Sequence, residues 1–96
     1  MYAVIRSYSG SGASELVDFI AGRKEEVEGL IGAIDGFVSW TMMQTEDGCA
    51  SVTVCQDKAG TDESIRIARE WIQNNASDLG VNPPSVSEGP VSLHLT

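Results

Sequence analysis

Residues 35–57 read DGFVSWTMMQTEDGCASVTVCQD, and the pairing of this stretch decides the fold. β-branched and aromatic residues flank Glu46-Asp47-Gly48, the pattern of a hairpin. Side chains alternate along a strand, so the loop length decides which residues share a face. A two-residue loop at Asp47-Gly48 pairs Trp40 with Cys55 and Met42 with Thr53, leaving both faces mixed. A three-residue loop, with Gly48 in the left-handed position, sets Trp40 opposite Val54, Met42 opposite Val52 and Gln44 opposite Ala50. The longer loop gives the cleaner separation and is the predicted register. It directs Val38, Trp40, Met42, Val52 and Val54 toward any covering helices. Phe37, Ser39, Thr41, Met43, Cys49, Ser51, Thr53 and Cys55 then form the other face. That face is semi-polar but uncharged, which suits packing on a partner's sheet, so the expected assembly is a homodimer through the sheet face.

The flanking elements follow from periodicity. MYAVIRSYS at residues 1–9 is a strand that stops at a Gly-Ser-Gly cluster. From 13 to 34, Leu16, Phe19, Ile20, Val27, Leu30, Ile31 and Ile34 recur at helical steps of three and four. Ser11 or Ser14 is placed to cap this helix and Gly36 to end it. Gly22, Gly29 and Gly32 each cost about 1 kcal/mol inside a helix and either interrupt it or mark close packing on the sheet. A second helix is predicted from Thr61, with Ile65, Ala68, Trp71 and Ile72 as its apolar stripe and Gly80 as its stop. Residues 81–90, VNPPSVSEGP, read as a turn-rich connection, and VSLHLT at 91–96 as the last strand. The order is β-α-β-β-α-β. This is an α+β, ferredoxin-like fold with a four-stranded antiparallel sheet and two helices on one face.

Ninety-six residues suffice for a single domain, 1–96, with one modest core. Forty-two per cent apolar residues is ordinary for a globular chain and too many for a disordered one. A net charge of −8 repels phosphate backbones and anionic membranes, so neither nucleic acid nor membrane is an expected partner. No apolar run approaches the roughly 18 residues of a membrane span. The N-terminus lacks the basic start and long apolar core of a signal peptide, and a cytoplasmic location is expected.

Few residues carry chemistry. Cys49 and Cys55 lie six apart on one strand, about 20 Å by strand rise. That is too far for a mutual disulfide. No Cys/His set with zinc spacing exists, so no metal site is expected. The SGSGAS stretch at 9–14 has Glu15 where a dinucleotide fingerprint needs its third glycine, and no G-K-[ST] occurs. No cofactor is therefore expected. His94 is the sole histidine, and nothing in the sequence indicates the partners that a Ser-His-Asp triad would need. Arg6 and Tyr8 alternate along the first strand, where a cation beside a phenol can position a ligand oxygen. Trp40 and Trp71 are the largest apolar groups and either fill the core or line a cavity for a flat ligand. The ligand-pocket candidates are Arg6, Tyr8, Trp40, Met42, Trp71 and His94. No catalytic residue is assigned.

Four segments, MYAVIRSY, the DGF step from first helix to second strand, SVTVCQD and GTDESIRIAREWI, carry a resemblance to the dimeric α+β barrel superfamily. Within it the chain resembles the small antibiotic-biosynthesis-monooxygenase-like proteins. The resemblance spans nearly the whole chain and includes no catalytic signature. It implies a ligand cavity between sheet and helices and a second protomer that closes a barrel. Catalytic members oxidise aromatic polyketides with dioxygen and no cofactor, or degrade haem. The substrate's own enolate or phenolate is the reductant, held by Asn, Trp, Tyr or Arg side chains. The second helix here has no histidine for haem, and the first strand offers Arg6 and Tyr8 but no asparagine. The expected function is that of a cofactor-independent monooxygenase on a small aromatic or enolisable ligand. A non-catalytic ligand-binding or structural dimer is the alternative, and amino-acid sensing of the ACT type, which shares the element order, comes third.

Overall fold

A computed structural model describes residues 1–96. Strand β1 spans Tyr2–Ser9 and alternates inward Val4, Arg6 and Tyr8 with outward Ile5, Ser7 and Ser9. It ends where Gly10 and Gly12 take φ of 80° and 79°. Gly12 is the helix N-cap and has no side-chain hydrogen bond, so neither Ser11 nor Ser14 caps the helix. The expected long helix is divided into α1, Ala13–Gly22, and α2, Lys24–Gly32, at Arg23. Gly22, Gly29 and Gly32 approach nothing: a Cβ at any of them would meet no atom within 4 Å. They weaken the helix and do not pack on the sheet.

Strands β2, Phe37–Gln44, and β3, Gly48–Cys55, form the hairpin. Its register corrects the expectation. Thr45 and Gly48 exchange main-chain hydrogen bonds, so the loop is the two residues Glu46-Asp47. Trp40 stands opposite Thr53, Met42 opposite Ser51 and Gln44 opposite Cys49. Cys49, Ser51, Thr53 and Cys55 therefore share the inner face with Trp40 and Met42, while Val52 and Val54 lie on the other. The cause is steric. A Cβ on residue 48 would sit 2.3 Å from the Tyr8 carbonyl oxygen and 2.5 Å from Ala13 Cβ, so Gly48 belongs to the strand under α1 and not to the loop. A bulge between Phe37 and Ser39 shifts the pairing again and returns Phe37 to the inner side.

Helix α3 spans Lys58–Asn75, starting three residues before Thr61. Asp57 caps it by accepting from the Gly60 amide at 3.2 Å. Gly60 permits close approach, because a Cβ there would lie 2.7 Å from that of Cys55. A short 3-10 turn, Ser77–Leu79, follows. The last strand, β4, is Ser85–Pro90 and not residues 91–96. Pro90 pairs with Tyr2, and Val91 donates to the Met1 carbonyl, so β1 offers no further partner. Leu93 and Leu95 are 95% and 99% exposed.

The sheet order is β2-β3-β1-β4, antiparallel throughout, with the helices on one face. Two apolar clusters join the layers. Tyr8, Ala13, Leu16, Cys49 and Ala76 fill one end. Val27, Ile31, Ile34, Cys55 and Trp71 fill the other. No helix is long and apolar enough to cross a membrane.

Candidate functional site

Between these layers lies a narrow cavity of about 30 Å³, and five of the six sequence-predicted residues line it: Arg6, Tyr8, Trp40, Met42 and Trp71. His94 does not; it stands in the exposed segment after β4. The convergence follows from the register. Arg6 pairs with Ser51 on β3, and Ser51 pairs with Met42 on β2, so one row crosses three strands. Trp71 approaches from α3, and Ile20, Val27, Leu30 and Ile31 close the space from α1 and α2.

Arg6 is the unusual member. Its side chain is 5% exposed, yet no carboxylate pairs with it. Nη1 donates to the Ser64 main-chain oxygen and Nη2 to Ser51 Oγ, both at 3.0 Å. Nε has no protein partner. Burial lowers the pKa of the guanidinium, since charge is poorly solvated there. Burial likewise raises that of the Tyr8 phenol, and the nearby Arg6 charge opposes the rise. Trp40 Nε1 and Thr53 Oγ1 are also buried without protein partners. Such orphans are few in native interiors, and each calls for an explanation.

Around the cavity are two wider hollows. One, of about 280 Å³, lies between α1, α2 and β2 and shares Ile20, Trp40 and Met42 with the cavity. The other, of about 370 Å³, lies between α3 and the approach to β4 and shares Tyr8 and Ile72. Ile20, Trp40 and Met42 thus form the partition between the inner cavity and the first hollow. Trp71 is oriented from outside, because its Nε1 donates to Glu26 Oε2 at 2.7 Å. Sequence reasoning missed Ser51, Thr53 and Glu26. Ser51 and Thr53 become visible only in the observed register, and Glu26 only once α2 is set beside α3. No group of three His, Cys, Asp or Glu side chains is placed to hold a metal. Cys49 and Cys55 are buried free thiols whose pKa values burial raises.

No family model and no curated protein matches the sequence. Solved structures do. A candidate antibiotic biosynthesis monooxygenase from Deinococcus radiodurans superposes with a TM-score of 0.68 at 10% identity, covering 100% of this chain and 97% of that one. The chain has the fold of the antibiotic-biosynthesis-monooxygenase-like proteins. NE2512 from Nitrosomonas europaea, a protein of unknown function, gives 0.66 at 20% identity, with 99% and 92% covered. A monooxygenase from the gene ActVA-Orf6 of Streptomyces coelicolor, in complex with nanaomycin D, gives 0.63 at 19%, with 99% and 90% covered. At these identities the likeness is one of fold and assigns no role to any residue of the cavity.

Proposed function

We propose that this chain is a cofactor-independent monooxygenase acting on a small aromatic or enolisable ligand, and that it works as a homodimer in the cytoplasm. The observation that carries the reading is the buried, carboxylate-free guanidinium of Arg6 in an otherwise apolar cavity between two tryptophans. A positive charge fixed in a dry site stabilises negative charge that develops during reaction. The ligand's ring rests against Trp40 and Met42 in the adjoining hollow, and displacement of one of these two side chains lets its oxygen reach Arg6. Arg6, with Tyr8 beside it, favours loss of the ligand's acidic proton. The resulting enolate or phenolate is the reductant for dioxygen. At a methylene carbon one oxygen atom stays as a carbonyl and the other leaves as water with the two hydrogens. Trp71 shapes the inner wall, held by Glu26. The test is oxygen uptake and product mass with a panel of quinols and enols. Wild type turns over, and Arg6→Ala loses activity while binding the ring more weakly. Absence of turnover across the panel would reject the reading.

The alternative is a non-catalytic ligand-binding or structural dimer. The small volume of the inner cavity favours it, since about 30 Å³ admits no ring unless Trp40 or Met42 moves. A thermal-shift screen separates the two. Aromatic ligands that stabilise the protein without consuming oxygen support a binding protein, and none that stabilise it supports a structural dimer.

The homodimer rests on the sheet face turned away from the helices. Ile5 and Met43 are exposed there, beside Val52 and Ala50. Reduced Cys49 and Cys55 fit a cytoplasmic setting.

A further inference from the structure

We infer that the hollow between α3 and the approach to β4 is a separate binding site for a small aromatic carboxylate. Three observations converge, and the first is charge. Of the six basic side chains, Arg23, Lys58 and Arg66 form ion pairs, and Arg6 is buried in the inner cavity. Lys24 shares its hollow with Glu28. Arg69 stands at the exposed rim of a hollow with no acidic residue in its lining. Its neighbours at three and four positions along α3 are Ile65, Arg66, Ile72 and Gln73, so its own helix turns no carboxylate toward it. The nearby Glu63 and Glu70 both serve Arg66.

Second, the polar groups around Arg69 are unspent. Gln73, one turn on, and Asn82, in the connection to β4, line the same hollow. Neither side chain, nor that of Arg69, hydrogen-bonds to another part of the protein. A guanidinium takes a carboxylate through two parallel hydrogen bonds, and the amides supply further donors. One cation matches a monoanion. A phosphate dianion would be half neutralised in a chain of net charge −8. Third, the rest of the lining is apolar and the size is that of a small-molecule site. Ile65, Ile72, Val81 and Val86 wall a volume of about 370 Å³ over the buried ring of Tyr8. The Tyr8 ring and the rigid Pro83-Pro84 pair offer flat faces, which suit a planar ring better than a branched chain.

The site is distinct from that of the reaction proposed above. It shares no lining residue with the Trp40–Met42 hollow and only Tyr8 and Ile72 with the Arg6 cavity. The test titrates the protein with benzoate, with benzamide as its uncharged isostere and acetate as the same charge without the ring, followed by amide NMR spectra. Benzoate gives saturable shifts centred on Arg69, Gln73, Val81, Asn82 and Val86. Benzamide and acetate bind about tenfold more weakly or not at all, the one lacking the charge and the other the apolar area. Arg69→Gln, at an exposed position where the fold tolerates it, weakens benzoate by about tenfold or more, the worth of a hydrogen bond to a charged group. Lys24→Gln, in the other hollow, leaves benzoate binding unchanged. A failure to consume oxygen, which rejects the monooxygenase reading, does not alter this result. No saturable benzoate shift, shifts centred on Trp40 and Met42 alone, or equal affinity of wild type and Arg69→Gln would each overturn the inference.

Discussion

Trp71 Nε1 donates to Glu26 Oε2 across 2.7 Å, tying α3 to α2 on the far side of the cavity. Arg23, at the break between α1 and α2, donates to the other oxygen, Glu26 Oε1, at 3.0 Å. Its guanidinium also lies over the rings of Phe19 and Trp71, at 5.6 and 5.8 Å. Hydrogen bonds from Trp71 and then Arg23 favour the charged form of Glu26 and lower its pKa. A carboxyl whose folded pKa is depressed adds stability above its unfolded pKa, and that stability is lost as pH falls through the folded pKa. Wild type should therefore exceed Glu26→Gln in unfolding free energy near neutrality. The gap should close below the ordinary glutamate range. Urea titrations of both proteins from pH 7 to pH 3 measure this, and a gap independent of pH would contradict it.

Arg6 should trade stability against function. Its buried charge has no carboxylate partner. Arg6→Met keeps much of the side-chain volume and removes the charge, so it should match or exceed wild type in stability. Arg6→Ala leaves a void and should cost about 2–4 kcal/mol. Both should abolish oxygen uptake. Denaturant midpoints and uptake rates on the same samples separate the effects, and a strongly destabilised Arg6→Met would show that the guanidinium is structurally required.

The alternation of strands and helices, the antiparallel sheet and the inward facing of Trp40 and Met42 were legible in the sequence, because periodicity is local, whereas which face of β1 carries Arg6 and Tyr8 inward was not. Nor was the hairpin register. Hydrophobicity pointed Val52 and Val54 inward, but those valines occupy the open face, while Ser51 and Thr53 are small enough to lie beneath the helices. What sets the register is the approach of Gly48 to Tyr8 and Ala13, a contact between residues 40 and 35 positions apart that no local pattern contains. Strand β4 was hidden for a related reason. SVSEGP has strand geometry only because it pairs with β1 at an edge, where a terminal proline is tolerated. VSLHLT alternates well but has no partner strand, and so His94 left the site.

Two glycine substitutions should act in opposite directions. Gly12 has φ of 79°, and a Cβ there would lie 2.2 Å from the Leu79 carbonyl oxygen. Gly12→Ala combines left-handed strain with a main-chain clash and should cost about 3 kcal/mol or more. Gly29, inside α2, has an ordinary helical backbone and open space around it. Gly29→Ala should stabilise by about 1 kcal/mol. Guanidinium unfolding of the two variants decides this, and destabilisation by Gly29→Ala would mean that α2 packs more tightly than its surroundings indicate.

The last prediction concerns the open sheet face. Ile5 stands opposite Val52 and Met43 opposite Ala50, so apolar side chains from three strands form one surface without a helix above it. Met43 is 55% exposed and Ile5 43% in the isolated chain. If a second copy covers this surface, a carboxylate placed there must be desolvated without a partner, at a cost of several kcal/mol. Ile5→Glu with Met43→Glu should therefore convert the dimer to a folded monomer. Glu46→Lys, in the hairpin loop, changes charge away from the face and should leave the dimer intact. Sedimentation velocity at micromolar concentration measures all three proteins. Wild type sedimenting as a monomer would refute the dimer outright. A dimer that survives both glutamates would place its interface elsewhere, since two uncompensated charges cannot be buried at the centre of a stable apolar contact.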